Sequence, residues 1–449
     1  MKSSLPARIF AQLRINRRAF LALGGVAVVF VLAFVFESIY PAGMALLFAL
    51  AAIFLVDGWL LFQPAMKFTV HRHTGKLLSL GDPNPIVLRV RSKVRFALRV
   101  QVFEELPVQL QQRNFKMDER FAPLERKVMK YHITPKTRGN YGFGDTNLIV
   151  STQIGLFSRR IVMHNSQNVA VFPSVIQMKK YELMAFARIS TFEGIKKVRR
   201  LGHSYEFEQI KTYVTGDDIR SINWKATSRR NQLMVNQYED ERSQPIYSII
   251  DKSRSMHMPF NGLSLLDYAI NTSLVLSNIA LKKHDKAGLV SFSSTIGSTL
   301  PAERASNQLK KILAALYNEK SFLLEANYDL LYRAVKNVVK SRSLIFLYTN
   351  FESPYAMERA LPVLRKINAA HLLVVMIFEN TELMAYSRRE AAFVTDIYTQ
   401  TMADKLVLEK KHMVMKLKMH GIQTILTRPE DLSINTVNKY LELKARGLI

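Results

Sequence analysis

The chain has no cysteine among its 449 residues, which excludes disulfides, thiolate catalysis and cysteine-ligated metal centres. That absence fits a reducing compartment. No glycine-rich phosphate loop ending in Lys-Ser or Lys-Thr occurs, so the chain is not expected to hydrolyse a nucleotide itself. Internal repeats and low-complexity tracts are missing too. The ten histidines are scattered. His71 and His73 share a strand-like stretch with no acid or third ligand beside them, which favours a solvated role over a metal site. Acidic residues are scarce: 36 Asp and Glu against 63 Lys and Arg leave a formal net charge of +27. Such a surplus points to an anionic partner, whether nucleic acid, acidic phospholipid or an acidic protein face.

The length allows two soluble domains plus extra segments, and a 48% apolar share permits sizeable cores. Residues 19–36 and 44–62 are two uncharged or nearly uncharged apolar stretches, separated by "ESIYPAG". At about 1.5 Å per residue each reaches across a ~30 Å hydrocarbon core, the first only just. Asp57 falls near the end of the second stretch, within reach of an interface. A cleaved signal peptide would explain the first stretch but not the second. Arg8, Arg14, Arg17 and Arg18 precede the pair, Lys67, Arg72 and Lys76 come after it, and the connecting turn carries only Glu37. By the positive-inside tendency both ends face the cytoplasm. Part of the basic surplus then has a plain use, attraction to anionic lipid.

The expected organisation is a basic N-terminus (1–18), a transmembrane hairpin (19–63), a β-rich domain (64–175), a connecting segment (176–244) and an α/β domain (245–449). In the β-rich part, "PIVLRVRS", "RFALRVQVF", "KVMKYHITP" and "NVAVFP" alternate apolar and polar residues between turn signals, as an antiparallel β-sandwich would. After Pro245, apolar strands such as "IYSIID", "KAGLVSFS", "SLIFLYT" and "HLLVVMIF" alternate with helix-like runs. That pattern implies a mostly parallel sheet covered on both faces.

The first strand of that domain ends in "IIDKSRSM". In α/β sheets ligands gather at the carboxyl ends of strands, and Asp251, Ser253 and Ser255 are hard oxygen donors suited to Mg²⁺ or Mn²⁺. The competing reading has the same side chains capping the turn through backbone N–H groups. Ser253 has no evident His/Asp pairing, which argues against a serine hydrolase. Upstream, Gly216 permits a tight turn, and Asp217 and Asp218 sit beside Arg220, Trp224, Lys225, Arg229 and Arg230. One reading is structural: carboxylates satisfied by guanidinium groups, with Trp224 anchoring the connection between domains. Another is a partner-binding surface of Asp217, Asp218, Arg220, Trp224, Lys225 and Arg229. A third, two-metal phosphodiester chemistry using Glu239, lacks a lysine in catalytic spacing beside the acids.

"IIDKSRSM" resembles the first metal motif of von Willebrand factor A domains, and "YVTGDDIRSINWKATSRRNQLMVNQYEDER" resembles the signature of the domain of unknown function 58 family. "TRGNYGFG", "QIGLFSRR" and "VAVFP" are similar to that family's β-region, so the likeness runs along nearly the whole chain. The resemblance implies two N-terminal transmembrane helices, an antiparallel β-sandwich and an α/β domain, Rossmann-like and von Willebrand factor A-like. It further implies a degenerate MIDAS-like metal set of Asp251, Ser253, Ser255 and Asn350 that would take Mg²⁺ or Mn²⁺. Tyr328 stands where such domains carry threonine, and Asn350 stands where they carry aspartate; Asp329 is a nearby substitute. The function implied by this likeness is that of a non-enzymatic adaptor in a bacterial inner membrane, its soluble domains in the cytoplasm and its partner a MoxR-type AAA+ ATPase. The alternative is a binder of anionic lipid or nucleic acid, using residues 196–200 with Lys211, Arg229 and Arg230.

Overall fold

The computed structural model describes residues 12–192, 206–215, 217–239, 243–388 and 393–448. The chain divides into two compact units, Met1–Phe172 and Pro173–Ile449.

The first unit opens with β1 (Leu13–Ile15), inside the segment expected to be a basic tail. It pairs antiparallel with β10 (Phe157–Met163), Leu13 opposite Arg159. Two helices come next, α1 (Arg17–Val35) and α2 (Tyr40–Phe62), both long and apolar enough to cross a membrane. They expose large apolar side chains, Phe34 at 91% and Leu55 at 75%, a surface that lipid tolerates and water penalises. Asp57 does not reach for an interface. It is fully buried and accepts hydrogen bonds from the backbone N–H groups of Leu156 (3.0 Å) and Phe157 (2.9 Å) and from the Thr152 hydroxyl. Arg159 donates to the Leu61 carbonyl at 3.1 Å, and Arg18 to that of Ile154 at 3.2 Å. The helical pair is thereby clamped to the turn between β9 (Thr146–Ser151) and β10.

Antiparallel strands β2 (Phe68–His73), β4 (Asn84–Ser92) and β7 (Arg126–Ile133) form one sheet, in the order β2-β4-β7. A second runs β1-β10-β9-β5-β6, with β5 (Leu98–Glu104) and β6 (Lys116–Phe121), all antiparallel. A third joins β3 (Leu77–Ser79), β11 (Gln167–Phe172) and β8 (Gly139–Phe143), β3 running parallel to β11. The period-2 pattern explains the packing: Leu88 and Val90 of β4 and Leu98, Val100 and Val102 of β5 point into one core with Phe68, Phe121 and Val150. One flanking cation departs from its expected membrane role. The Arg72 side chain is buried and pairs with buried Glu104 at 2.7 Å, which also takes the Thr146 hydroxyl.

In the second unit, α3 (Val175–Phe192) comes first; the Ser174 backbone N–H donates to Asn271 at 2.8 Å. The connecting segment therefore begins as part of this unit's core, Ala185 lying in it. Next is an antiparallel hairpin, β12 (Glu206–Thr212) and β13 (Met234–Glu239), with the short helix α4 (Trp224–Arg230) between its strands. The main sheet takes β14 (Pro245–Asp251), β17 (Lys286–Phe292), β18 (Ile296–Glu303), β19 (Leu344–Tyr348), β20 (Leu372–Phe378) and β21 (Gln423–Thr427). Its order is β18-β17-β14-β19-β20-β21, parallel except for the antiparallel edge strand β18. A two-residue pair, β15 (Pro259–Phe260) and β16 (Leu263–Ser264), leads into α5 (Leu265–Lys282). The remaining helices are α6 (Gln308–Asn318), α7 (Tyr328–Val338), α8 (Pro354–Ala370), α9 (Thr381–Ser387), α10 (Val394–Met419) and α11 (Leu432–Ala445). Both sheet faces are covered. Ile246 and Ile250 of β14 enter a core with α5, α6 and α11, while Tyr247 and Ile249 enter another with α7, α8 and α10. Strand β14 is consequently buried on both sides, as its uninterrupted apolar run requires.

Candidate docking rim at the strand ends

Asp251 ends the buried run of β14 and is itself without exposed surface. Its Oδ1 accepts the Ser253 backbone N–H (2.9 Å), and its Oδ2 accepts the Thr349 hydroxyl (2.7 Å) from the loop after β19. Thr349 spends its proton on Asp251, so the contact with the Tyr328 hydroxyl at 2.9 Å has the tyrosine donating. Burial raises the Asp251 carboxyl above its usual range despite the bonds from Thr349 and Ser253. Tyr328 is raised well above the ordinary phenol value by burial, with the Asp251 charge adding to it.

Lys252, the next residue, points to the other side of the strand. It is 6% exposed and pairs with buried Glu319 at 2.7 Å; Glu319 also takes the Ser291 hydroxyl at 2.5 Å. The approach is tight enough that a Cβ at Gly297 would overlap the Lys252 ammonium and the Ser291 hydroxyl. Backbone bonds from Phe322 to the Lys252 carbonyl (2.8 Å) and from Arg254 to the Leu324 carbonyl (3.0 Å) fasten the loop from its outer edge.

The Ser253 and Ser255 hydroxyls lie 3.1 Å apart. With Asp251, Tyr328 and Asn350 they line a cavity of about 420 Å³, whose mouth carries Arg254, Glu325, Asp329, Glu352 and Arg359. Two ion pairs frame it, Arg254–Glu352 at 2.8 Å and Arg359–Glu325 at 3.2 Å. The expected set is thus brought together. Asp251 and the serines are hard oxygen donors of the kind that would suit a Mg²⁺ or Mn²⁺ ion. Asn350 does not fit that role. Its Oδ1 accepts the ammonium of Lys410 from α10, which also donates to the Phe351 carbonyl at 2.6 Å. Desolvation pulls Lys410 down to about 8, with Glu352 opposing the shift. Asp329 lines the cavity but is exposed. Among the described residues no three His, Asp or Glu side chains converge on one point.

Sequence reasoning missed Thr349 and Lys410. Thr349 was within reach of it, being the residue before Asn350 at the end of an apolar strand. Lys410 carries no local signal, since it arrives from a helix 60 residues away.

The acidic pair upstream is satisfied locally, though not by the guanidinium groups expected of the structural reading. Asp217 pairs with Lys211 at 2.6 Å and accepts the Val214 N–H at 3.1 Å, and Asp218 caps the following turn by accepting the Arg220 N–H at 3.0 Å. Asn223 caps α4 by accepting the Ala226 N–H at 3.0 Å. Trp224 is 70% exposed, so it anchors nothing within its own unit, and Arg220, Lys225, Arg229 and Arg230 are exposed around it. Gly216, residues 196–200 and the side chain of Glu239 lie outside the described residues.

Residues 209–415 match the family model described as "Protein of unknown function DUF58". The match takes in most of the β12–β13 hairpin and the rim residues Asp251 to Lys410. It covers just under half of the chain, not the nearly whole-chain likeness expected from sequence. The chain is also similar to the "Uncharacterized protein YeaD" of Bacillus subtilis (strain 168), 23% identical over 278 residues, which is 60% of this chain and 67% of that protein. Likenesses to solved structures are partial. The Escherichia coli alpha-2-macroglobulin fragment from domain MG7 to the C-terminus aligns at 13% identity, over 24% of this chain and 17% of that one, with a TM-score of 0.20. Proximal thread matrix protein 1 from the mussel byssus aligns at 11% identity over 45% of each chain, with a TM-score of 0.27. Neither score reaches what a shared overall fold gives.

Proposed function

We propose that this protein is a non-enzymatic, membrane-anchored adaptor whose second unit, read as a von Willebrand factor A-like domain, docks a protein partner at the Asp251 rim. The observation that carries the reading is the cavity of about 420 Å³ at the carboxyl ends of the strands, floored by Asp251, Ser253 and Ser255. The Ser253 hydroxyl meets the Ser255 hydroxyl, and no histidine is among the described residues lining the cavity, which favours binding over bond-making. A Mg²⁺ or Mn²⁺ ion held by Asp251, Ser253 and Ser255 would present a positive centre to a partner carboxylate. The family resemblance makes a MoxR-type AAA+ ATPase the partner to try first, and the two apolar helices would hold the platform at a bacterial inner membrane with its soluble units in the cytoplasm.

Association is expected to weaken at least tenfold in Asp251→Asn, the order of effect seen when one charged group of a buried contact is removed. The measurement is retention of a co-encoded MoxR-type ATPase by the detergent-solubilised full chain, with Mg²⁺ and with chelator. Equal retention by wild type and variant, with the fold intact by circular dichroism, defeats the proposal.

A further inference from the structure

The tip of the β12–β13 hairpin is not used by the rim. Val214, Ile219, Trp224 and Leu233 all expose apolar side chains there. Backbone bonds from Tyr213 to the Leu233 carbonyl and from Asn223 to the Met234 carbonyl, both 2.8 Å, hold the two arms of the tip together. Arg220, Lys225, Arg229 and Arg230 stand among these side chains, exposed, and none has an ion-pair partner among the described residues. The two acids of the tip are committed internally, Asp217 to Lys211 and Asp218 to a backbone N–H. Some exposed arginines elsewhere in the same unit are paired, such as Arg254 with Glu352 and Arg359 with Glu325.

We propose that this tip docks on the anionic face of a phospholipid bilayer. Four exposed cations without an ion-pair partner among the described residues call for phosphate, and the aliphatic side chains call for hydrocarbon. An indole ring settles where the two meet. Nucleic acid would satisfy the cations but gives Val214, Ile219 and Leu233 no apolar surface to enter. A bilayer answers both, and the two apolar helices of the first unit bring one within the same molecule. Tethering then turns a weak contact into an intramolecular one. This docking is independent of the rim and of what binds there.

The chain has two tryptophans, Trp59 in α2 and Trp224, so Trp59→Phe leaves Trp224 as the sole indole fluorophore. The full-length variant is placed in nanodiscs of phosphatidylcholine, alone or mixed with phosphatidylglycerol, each with and without brominated acyl chains. Trp224 emission is expected to shift to the blue and to be quenched by bromine in the mixed discs, and to be released by high salt. Each cation removed, as in Arg229→Ala with Arg230→Ala, should lower the bound-to-free ratio about fivefold, while Arg229→Lys with Arg230→Lys keeps it. The proposal is overturned if bromine leaves Trp224 unquenched in the mixed discs, or quenches it equally without anionic lipid. It is equally overturned if an acidic protein or an oligonucleotide shifts the emission where brominated lipid does not.

Discussion

Asp251 illustrates a carboxyl group held against its own electrostatics. Full burial raises its carboxyl, so the folded chain keeps the proton to a higher pH than the unfolded chain does. Stability contributed at this residue therefore falls as pH rises from the ordinary carboxylate value through the raised one, and stays low above it. Asp251→Asn removes that cost. Its amide can still accept the Ser253 N–H, and the Thr349 and Tyr328 hydroxyls can reverse direction to accept its N–H. The variant is expected to be more stable than wild type by about 1 kcal/mol near pH ~7, the difference closing toward pH ~3 in thermal melts. A stabilised variant that loses its partner would be the mark of a binding residue. Lys410 gives the opposite slope. Its lowered value of about 8 means that the folded chain binds fewer protons than the unfolded one between there and the ordinary lysine value of 10.5. Stability should rise with pH across that window in wild type and lose that component in Lys410→Met, read as the difference between the two urea-melt series.

At the scale of elements, the rim and the helical clamp both depend on loops secured from two sides. Asp57 closes the first unit by satisfying three donors of the β9–β10 turn: the Thr152 hydroxyl and the Leu156 and Phe157 N–H groups. Asp57→Ala leaves those donors without their acceptor in a buried place, at about 1–3 kcal/mol for each one that water cannot reach. A lowered melting temperature of the full chain in detergent, with little change in secondary structure, is expected. Alternation and apolar runs made most strands legible, because a half-buried or doubly buried strand writes its burial into its sequence. Several strands escaped, β1 and β18 among them. Strand β1 is three residues long with Arg14 at its centre, and its pairing with β10 spans more than a hundred residues of chain. Strand β18 is an edge strand with Pro301 inside and largely half-exposed positions, so it carries no apolar signature.

For the whole molecule, the unit boundary and the clamp make different truncations unequal. A fragment beginning at Pro173 carries both cores of the second unit and should unfold cooperatively in solution. Removing residues 1–63 is expected to do worse than release the first unit from a membrane. It strips β1 from the edge of the five-stranded sheet and Asp57 from its turn, leaving an open edge prone to association. Gel filtration of the two fragments distinguishes these outcomes. The sequence alone determined the paired apolar helices, the β-rich then α/β succession and the oxygen-bearing end of β14, because composition and periodicity are local and additive along the chain. Only the tertiary structure decided that Lys410 occupies Asn350, that Thr349 completes the Asp251 network, that the Arg72 side chain is buried and that the four tip cations have no ion-pair partner among the described residues. Each of those depends on which distant residue arrives, and a partner's arrival leaves no trace in the local sequence.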